Sequence, residues 1–266
     1  MSSSNIRERR LSAATRAVFL VPVVILLLAP SFVILPMSFS ESRVLSWPPR
    51  GFTFDWYATL FASGQWGASA QHSVEVALVS TAIALLLGVP AGVTLGLKNW
   101  RFRDLTLALI VIPLVIPTIV LAIGMYKIYA WLGLHDMLGL AAAHAMIGVP
   151  LVVITTMSSA RQINPVLLLA ARSLGASRAK TFFLVTLPLA RGGIISGAIF
   201  AFVSSWDEVV IANFLSSPTY RTVPVQMWAQ ITERVDPTVA AMASVLFVVS
   251  MAMMVGLTAL RWRQSQ

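Results

Sequence analysis

Six long apolar runs alternate with more polar stretches along the chain. The runs cover approximately residues 17–37, 72–97, 105–131, 138–160, 192–214 and 239–260. Each run can supply the roughly 20 residues that a helix needs to cross a bilayer. The first run contains three prolines, so we expect a kinked or frayed helix there, retained as a span because no small-residue cleavage site follows it. The pattern predicts an all-α membrane protein with six transmembrane helices.

The composition supports this class. Of the 266 residues, 58% are hydrophobic and only 11% are charged, whereas a soluble domain carries about a quarter charged residues. The chain has no cysteine, which excludes a disulfide framework, a thiolate metal site and a cysteine nucleophile.

The basic residues between the runs predict the orientation, because cytoplasmic loops carry an excess of Lys and Arg. With the N-terminus inside, 14 of the 19 basic residues fall on the cytoplasmic side, opposed only by Glu8 and Asp104. These basic residues are Arg7, Arg9, Arg10, Arg16, Lys98, Arg101, Arg103, Arg161, Arg172, Arg178, Lys180, Arg191, Arg261 and Arg263. The net charge of +9 is thereby explained without a nucleic-acid partner, and both termini are predicted to be cytoplasmic.

A basic segment at residues 161–191 separates the fourth run from the fifth. Asn164 followed by proline is a helix-start signal, with a capping side chain and proline at the first helical position. Gly175 fits just past the end of that helix. Ser177 can cap a second helix, which we expect to end near Pro188. The segment is therefore predicted to be a helix, a glycine joint and a helix between two spans.

The order of residues here resembles the EAA motif of ABC-importer permeases. That motif runs Glu-Ala-Ala, three residues, Gly, nine residues, Ile, one residue, Leu-Pro; the chain has Leu-Ala-Ala at 169–171, Gly175 and Val-Thr-Leu-Pro at 185–188. Leu169 stands where the family has glutamate. The resemblance implies a cytoplasmic coupling loop that docks on an ATPase and carries its closure to the spans as a lever. The candidate coupling residues are Ala170, Ala171, Gly175, Ala176, Leu187 and Pro188.

Two adjacent acids interrupt the fifth apolar run. Asp207 follows Gly192 by a distance of about 22 Å along a helix, on the external side of the bilayer midpoint. Ionisable groups at this depth are costly and point to function or to local pairing. Because successive helical residues differ by about 100° in direction, Asp207 and Glu208 can face one ligand atom only if the helix is broken. Two alternatives remain: a carboxylate in a substrate pathway, or one that caps or braces a helix break.

The stretch SWDEVVIANFLSSP, followed by RTVPVQMW, is similar to the corresponding stretch of spermidine/putrescine-type permeases, and the similarity extends from the first span to the last. It implies a type I ABC importer permease fold in a single domain, residues 1–266, in the bacterial inner (plasma) membrane. It also implies two ATPase subunits that carry the ATP and Mg, a second homologous permease and a periplasmic solute-binding protein.

The implied function is ATP-driven import of a small charged solute, with a polyamine such as spermidine or putrescine favoured because acids in the pathway suit cations. The candidate pathway residues are Trp206, Asp207, Glu208 and Asn213. We expect Trp206 and Asn213 to share one face, two turns apart, on a continuous helix.

No catalytic or ATP-binding motif occurs in the chain. A P-loop, a G-x-S-x-G elbow and an H-E-x-x-H motif are all absent, so we expect a transport subunit that is not an enzyme and has no cofactor of its own. The three histidines lack metal-ligand spacing, and His144 is predicted to be a packed, hydrogen-bonded histidine. The alternatives are a stand-alone secondary transporter, or an ABC permease for another solute such as an amino-acid derivative, an opine or a phosphonate.

The long polar segment at residues 38–71 is predicted to lie outside, packed on the surface with one short helix. In an importer this face would meet the solute-binding protein. An interfacial belt of Trp47, Trp56, Tyr57 and Trp66 explains the aromatic residues equally well. Glu75, near the external start of the second run, either reaches the headgroups or belongs to the pathway.

Overall fold

The computed structural model of the chain describes residues 3–134, 137–233 and 237–264. All of the secondary-structure elements named within these residues are helices. The helices are α1 (Ser3–Met37), α2 (Asp55–Ala62), α3 (Gly64–Leu97), α4 (Arg103–Val115), α5 (Thr118–Leu132), α6 (Met137–Ala160), α7 (Pro165–Ser173), α8 (Arg178–Thr181), α9 (Leu187–Trp206), α10 (Val210–Leu215), α11 (Val223–Glu233) and α12 (Thr238–Gln264). A π-helical turn, Phe182–Thr186, joins α8 to α9 without a break. The prediction of an all-α protein is confirmed for these residues.

Three helices of the described chain are long and apolar enough to cross a membrane: α3, α6 and the continuous helix Arg178–Trp206. Two bent pairs bring the number of candidate spans to five, if each pair is one span. The first bends by 43° between Leu20–Ala29 and Ser31–Met37, where the sequence predicted a kink. Helix α12 contributes a shorter apolar segment, Thr238–Ala252.

The third apolar run is not the single helix that its length predicted. Helices α4 and α5 meet at 95°. Ile116 is extended, with φ −69° and ψ 134°, and Pro117 occupies the position directly before the first residue of α5. A residue before proline is pushed out of the helical region by the proline ring, so the helix ends here.

The helix that begins at Ser177 does not end near Pro188, and that prediction is wrong. The Ser177 hydroxyl accepts the Lys180 backbone N–H at 3.2 Å, as a cap should. The helix then continues through the π turn, in which the Leu187 N–H donates to the Phe182 carbonyl. Pro188 therefore lies inside a continuous helix, directly after the π turn, where the regular ladder of helical hydrogen bonds is already interrupted. The second helix of residues 161–191 and most of the fifth apolar run therefore form one continuous helix, Arg178–Trp206.

The chain divides into two compact units, residues 1–64 with 229–266, and residues 65–228. In the first unit α12 packs against α1 and α2. The segment before α2 is held to it by a hydrogen bond of 2.7 Å from the Trp56 indole to the Ser40 carbonyl, and by a contact of 2.7 Å between the Ser38 and Tyr57 hydroxyls. This agrees with the predicted packed segment with one short helix, although α3 begins earlier than expected, at Gly64.

In the second unit α6 is the central helix, and small residues let its neighbours approach closely. A Cβ added at Gly197 on α9 would lie 2.8 Å from the Val152 Cα, and one at Gly92 on α3 would lie 2.8 Å from the Val153 carbonyl oxygen. Close backbone packing of this kind is the usual means of association between membrane helices. Helix α6 therefore provides a fixed surface for the site described next.

Candidate functional site

The fifth apolar run contains a helix break at its two acidic residues. Helix α9 ends at Trp206, and Asp207, with φ −96° and ψ 0°, closes its last turn by donating its N–H to the Val203 carbonyl at 3.1 Å. Helix α10 begins only at Val210. The expectation that Trp206 and Asn213 share one face of a continuous helix is therefore wrong, because the helix does not continue between them.

The carboxylate of Glu208 caps the second half of the broken helix. Its Oε1 accepts the backbone N–H groups of Val210 at 3.0 Å and Ile211 at 2.9 Å, and its Oε2 accepts that of Ala212 at 2.8 Å. The first N–H groups of a helix have no partner within it and carry partial positive charge. Glu208 is buried, at 9% exposure, and these charge-assisted hydrogen bonds compensate its burial. Of the two alternatives that the sequence left open, the geometry of Glu208 is that of a carboxylate that braces a helix break. We call Glu208 and its three hydrogen bonds to α10 the brace.

His144 of α6 contacts both sides of the break. Its Nδ1 lies 2.8 Å from the hydroxyl of Ser205 in the last turn of α9. Its Nε2 lies 3.6 Å from Oε2 of Glu208, too long for a hydrogen bond but attractive when the imidazole is protonated. The ring is buried, at 2% exposure. The predicted packed, hydrogen-bonded histidine is confirmed, and it ties the broken helix to the central one.

The other candidate pathway residues lie on either side of this brace. Asp207 is exposed, and its carboxylate has no hydrogen bond or ion pair within the part of the chain that the structure describes. Trp206 is half-buried and stacks on Phe202 with ring centroids 5.9 Å apart. Asn213 is exposed on α10. The two adjacent acids thus differ in their surroundings, one enclosed and the other open.

A cavity of about 180 Å³ adjoins the break. It is lined by Ile119, Val209, Val210, Asn213, Phe214 and Trp228. Sequence reasoning missed Ile119 and Trp228, and it missed Ser205 as the partner of His144. These residues come from separate helices, and no local pattern in the sequence links them.

Polar groups near the start of α3 form a separate cluster. Glu75 accepts hydrogen bonds from the Gln71 amide at 2.7 Å and from the Tyr220 hydroxyl at 3.1 Å, and the His72 ring stacks on Tyr220 at 3.8 Å. Burial and the neighbouring Glu75 carboxylate raise the pKa of the Tyr220 phenol, which lies between α10 and α11. Glu75 is therefore engaged within the protein. Among the described residues no group of three or more His, Cys, Asp or Glu could hold a metal ion; His135 lies outside them.

The predicted coupling segment, residues 161–191, has the expected first helix and glycine joint, whereas its second helix continues into the fifth apolar run. Asn164 caps α7 by accepting the Val166 N–H at 3.0 Å, with Pro165 at the first helical position. Gly175 has φ +87°, a left-handed conformation that favours glycine. Ala170 and Gly175 are exposed, and Ala171 and Ala176 are half-buried. Leu187 and Pro188, in contrast, lie in the helix Arg178–Trp206, where Leu187 packs against a core cluster.

Comparisons with known proteins agree on one family. The family model described as "Binding-protein-dependent transport system inner membrane component" matches residues 88–265. The spermidine/putrescine transport system permease protein PotC of Escherichia coli (strain K12) is 29% identical over 242 residues, covering 90% of this chain and 91% of that protein. The putrescine transport system permease protein PotI of the same strain is 30% identical over 240 residues, covering 84% of each.

The fold is also similar to that of a solved structure. A chain of a bacterial ABC transporter involved in the import of the acidic polysaccharide alginate superposes with a TM-score of 0.70 and 18% identity, covering 98% of each chain. At this identity the likeness establishes the fold alone. The all-helical architecture expected from the sequence is thereby assigned to the ABC permease fold.

The brace generates a prediction that separates the two acids. Glu208→Gln should lower the free energy of unfolding in detergent micelles by about 1–3 kcal/mol, because a neutral amide satisfies the buried α10 donors poorly. Asp207→Asn is the matched control and should change it by less than about 0.5 kcal/mol, since the exposed carboxylate makes no such contacts. A double-mutant cycle with His144→Gln should give a coupling energy of about 0.5–3 kcal/mol. Equal effects at the two acids, with no coupling to His144, would contradict the assignment.

Proposed function

The chain belongs to the family of binding-protein-dependent transport system inner membrane components, and from this we propose that it is a permease subunit of an ABC importer that moves a polyamine, such as spermidine or putrescine, into the cytoplasm. The polyamine class is supported by the similarity to PotC and PotI, which extends over most of the chain. The observation that carries the proposal within the chain is the exposed carboxylate of Asp207 at the break of the fifth span.

A protonated amine that leaves water needs a compensating charge, and a carboxylate at membrane depth supplies one. We assign this role to Asp207, whose oxygens are not committed to other groups of the described chain. Trp206 offers an aromatic face to a cation, and Asn213 offers an amide oxygen. Glu208 acts in the same pathway indirectly, because it holds α10 and hence Asn213 in place.

The proposed transporter requires partner subunits. A permease of this family works with a binding protein, as the family description says. Two ATPase subunits and a second permease complete the proposed complex. The sequence has no P-loop, so we assign ATP and Mg to the ATPase subunits and no cofactor to this chain. The membrane lipid is its other partner, and the charge distribution gives no reason for a nucleic-acid partner.

We propose a single domain, residues 1–266, with six spans and both termini in the cytoplasm. The basic residues of the sequence favour this orientation. The bent pair of α4 and α5 would serve as the third span, and α12 as the sixth. Cysteines placed at Ser3 and Gln264 should react only from the cytoplasm, and one at Ser63 only from outside; labelling of either terminus from outside would refute the arrangement.

We further propose that residues 161–191 couple the permease to its ATPase. Apolar side chains of α7 and its cap are exposed, at 62% for Leu169 and 89% for Leu174. The segment also carries basic residues and no acidic residue. An ATPase groove with apolar walls and acidic edges would complement this surface. Leu169 would then make an apolar contact in place of the ion pair that a glutamate could form.

The coupling proposal predicts the effect of a charge at the tip of this segment. Leu174→Asp should loosen association of the ATPase and lower ATP-driven uptake by about tenfold or more, because burial of one such side chain contributes about 1.5–3 kcal/mol. Its backbone, with φ −79° and ψ 9°, accommodates aspartate without strain. Val44→Asp, in an exposed segment outside the proposed contact, is the control. Co-purification of ATPase with both variants at wild-type levels would show that residues 161–191 are not part of the ATPase interface.

The transport proposal is tested with the complete complex in proteoliposomes. ATP-dependent uptake of radiolabelled putrescine or spermidine should require the binding protein, and the chain by itself should neither hydrolyse ATP nor transport. Asp207→Asn should reduce uptake by about tenfold or more while leaving intact the stimulation of ATPase activity by the loaded binding protein. Undiminished uptake in this variant would show that Asp207 does not act in the substrate pathway. A wild-type complex that transports no polyamine would refute the substrate class.

A further inference from the structure

We infer that the cavity beside the helix break holds the hydrocarbon segment of the transported amine, and that it thereby selects the chain length of the substrate. This inference rests on the proposed function. The cavity has a volume of about 180 Å³ and lies wholly within the unit of residues 65–228. Its walls are Ile119 of α5, Val209 and three residues of α10, and Trp228 of α11.

The orientation of α10 explains why a cavity exists at this place. Ile211, Ala212 and Leu215 are buried in the core, at 0%, 0% and 6% exposure. Val210, Asn213 and Phe214 share the other face, because residues three and four apart are neighbours on a helix. The Glu208 carboxylate fixes this rotation by binding the first N–H groups of α10. The cavity is therefore a consequence of the braced break.

The lining matches one kind of ligand. Aliphatic and aromatic side chains form most of it, and Asn213 is the one amide among the six lining residues. Such walls stabilise a methylene chain, by about fourfold in affinity for each methylene that they bury. A short, flexible alkyl segment fits this space, whereas a sugar ring would leave its hydroxyl groups unpaired against apolar walls.

A carboxylate close to the cavity along the chain supplies a charge. Asp207 is two residues from the lining residue Val209, so their Cα atoms are at most about 7.6 Å apart. Its exposed carboxylate can therefore meet an ammonium group at one end of the alkyl segment. Asn213 and the half-exposed indole of Trp228 offer an amide oxygen and an aromatic face to a second ammonium group. An amine with charged ends and an apolar middle satisfies all of these groups together.

The experiment uses substitutions that narrow or widen the cavity and measures the selectivity of transport between two diamines of different length. Ile119→Phe fills it, Val210→Ala enlarges it, and Val120→Phe is the control, because Val120 is exposed beside Ile119 but does not line the cavity. Each variant is reconstituted as the complete transporter with the same wild-type binding protein, so that any change in selectivity comes from this chain. The measurement is the ratio of uptake KM values for putrescine and its homologue cadaverine, which is longer by one methylene.

Ile119→Phe should raise the KM for cadaverine about fourfold or more relative to that for putrescine, Val210→Ala should shift the ratio in the opposite direction, and Val120→Phe should leave it unchanged. A ratio that stays constant in both cavity variants, while they still transport, would overturn the inference and leave the proposed function standing. A wild-type complex that takes up neither amine would overturn the proposed function itself. A shift of equal size in Val120→Phe would also overturn the role of the cavity.

Discussion

A buried carboxylate that caps a helix break is the interaction on which the rest of this site depends. A helix that stops inside a membrane span leaves backbone N–H groups without partners, and hydrocarbon offers them none. Glu208 supplies oxygen acceptors to three such groups within 3.0 Å. The charge is costly to bury alone and the donors are costly to leave unpaired, so each compensates the other.

The brace determines what the surrounding residues can do. With Glu208 held inside, the backbone turns between α9 and α10, and the neighbouring Asp207 is left exposed. The His144 ring is hydrogen-bonded to Ser205 before the break and lies 3.6 Å from the Glu208 carboxylate after it, so α6 contacts both halves. Close packing at Gly197 keeps α9 against the same helix. One acid therefore positions the backbone, while the other stays available for the proposed contact with a cation.

Sequence reasoning succeeded where the signal was local. The helical character of the chain, the Asn164 and Ser177 caps and the glycine joint each depend on a few neighbouring residues, and the structure has them. The predicted helix end near Pro188 was wrong, because the helix continues through a π turn directly before the proline. No single residue type in the sequence indicates such a turn. Ile119 and Trp228 could not be predicted as cavity residues either, since they meet α10 only through tertiary packing.

Hydrogen–deuterium exchange of the peptide covering residues 209–215 tests the brace most directly, because it measures the capped N–H groups themselves. In the purified wild-type protein the amides of Ile211 and Ala212 should be protected by their bonds to Glu208. Glu208→Gln should speed their exchange by about tenfold or more, as expected from the loss of about 1.4 kcal/mol or more of local stability, and Asp207→Asn should not. Exchange at the same rate in wild type and Glu208→Gln would contradict the account.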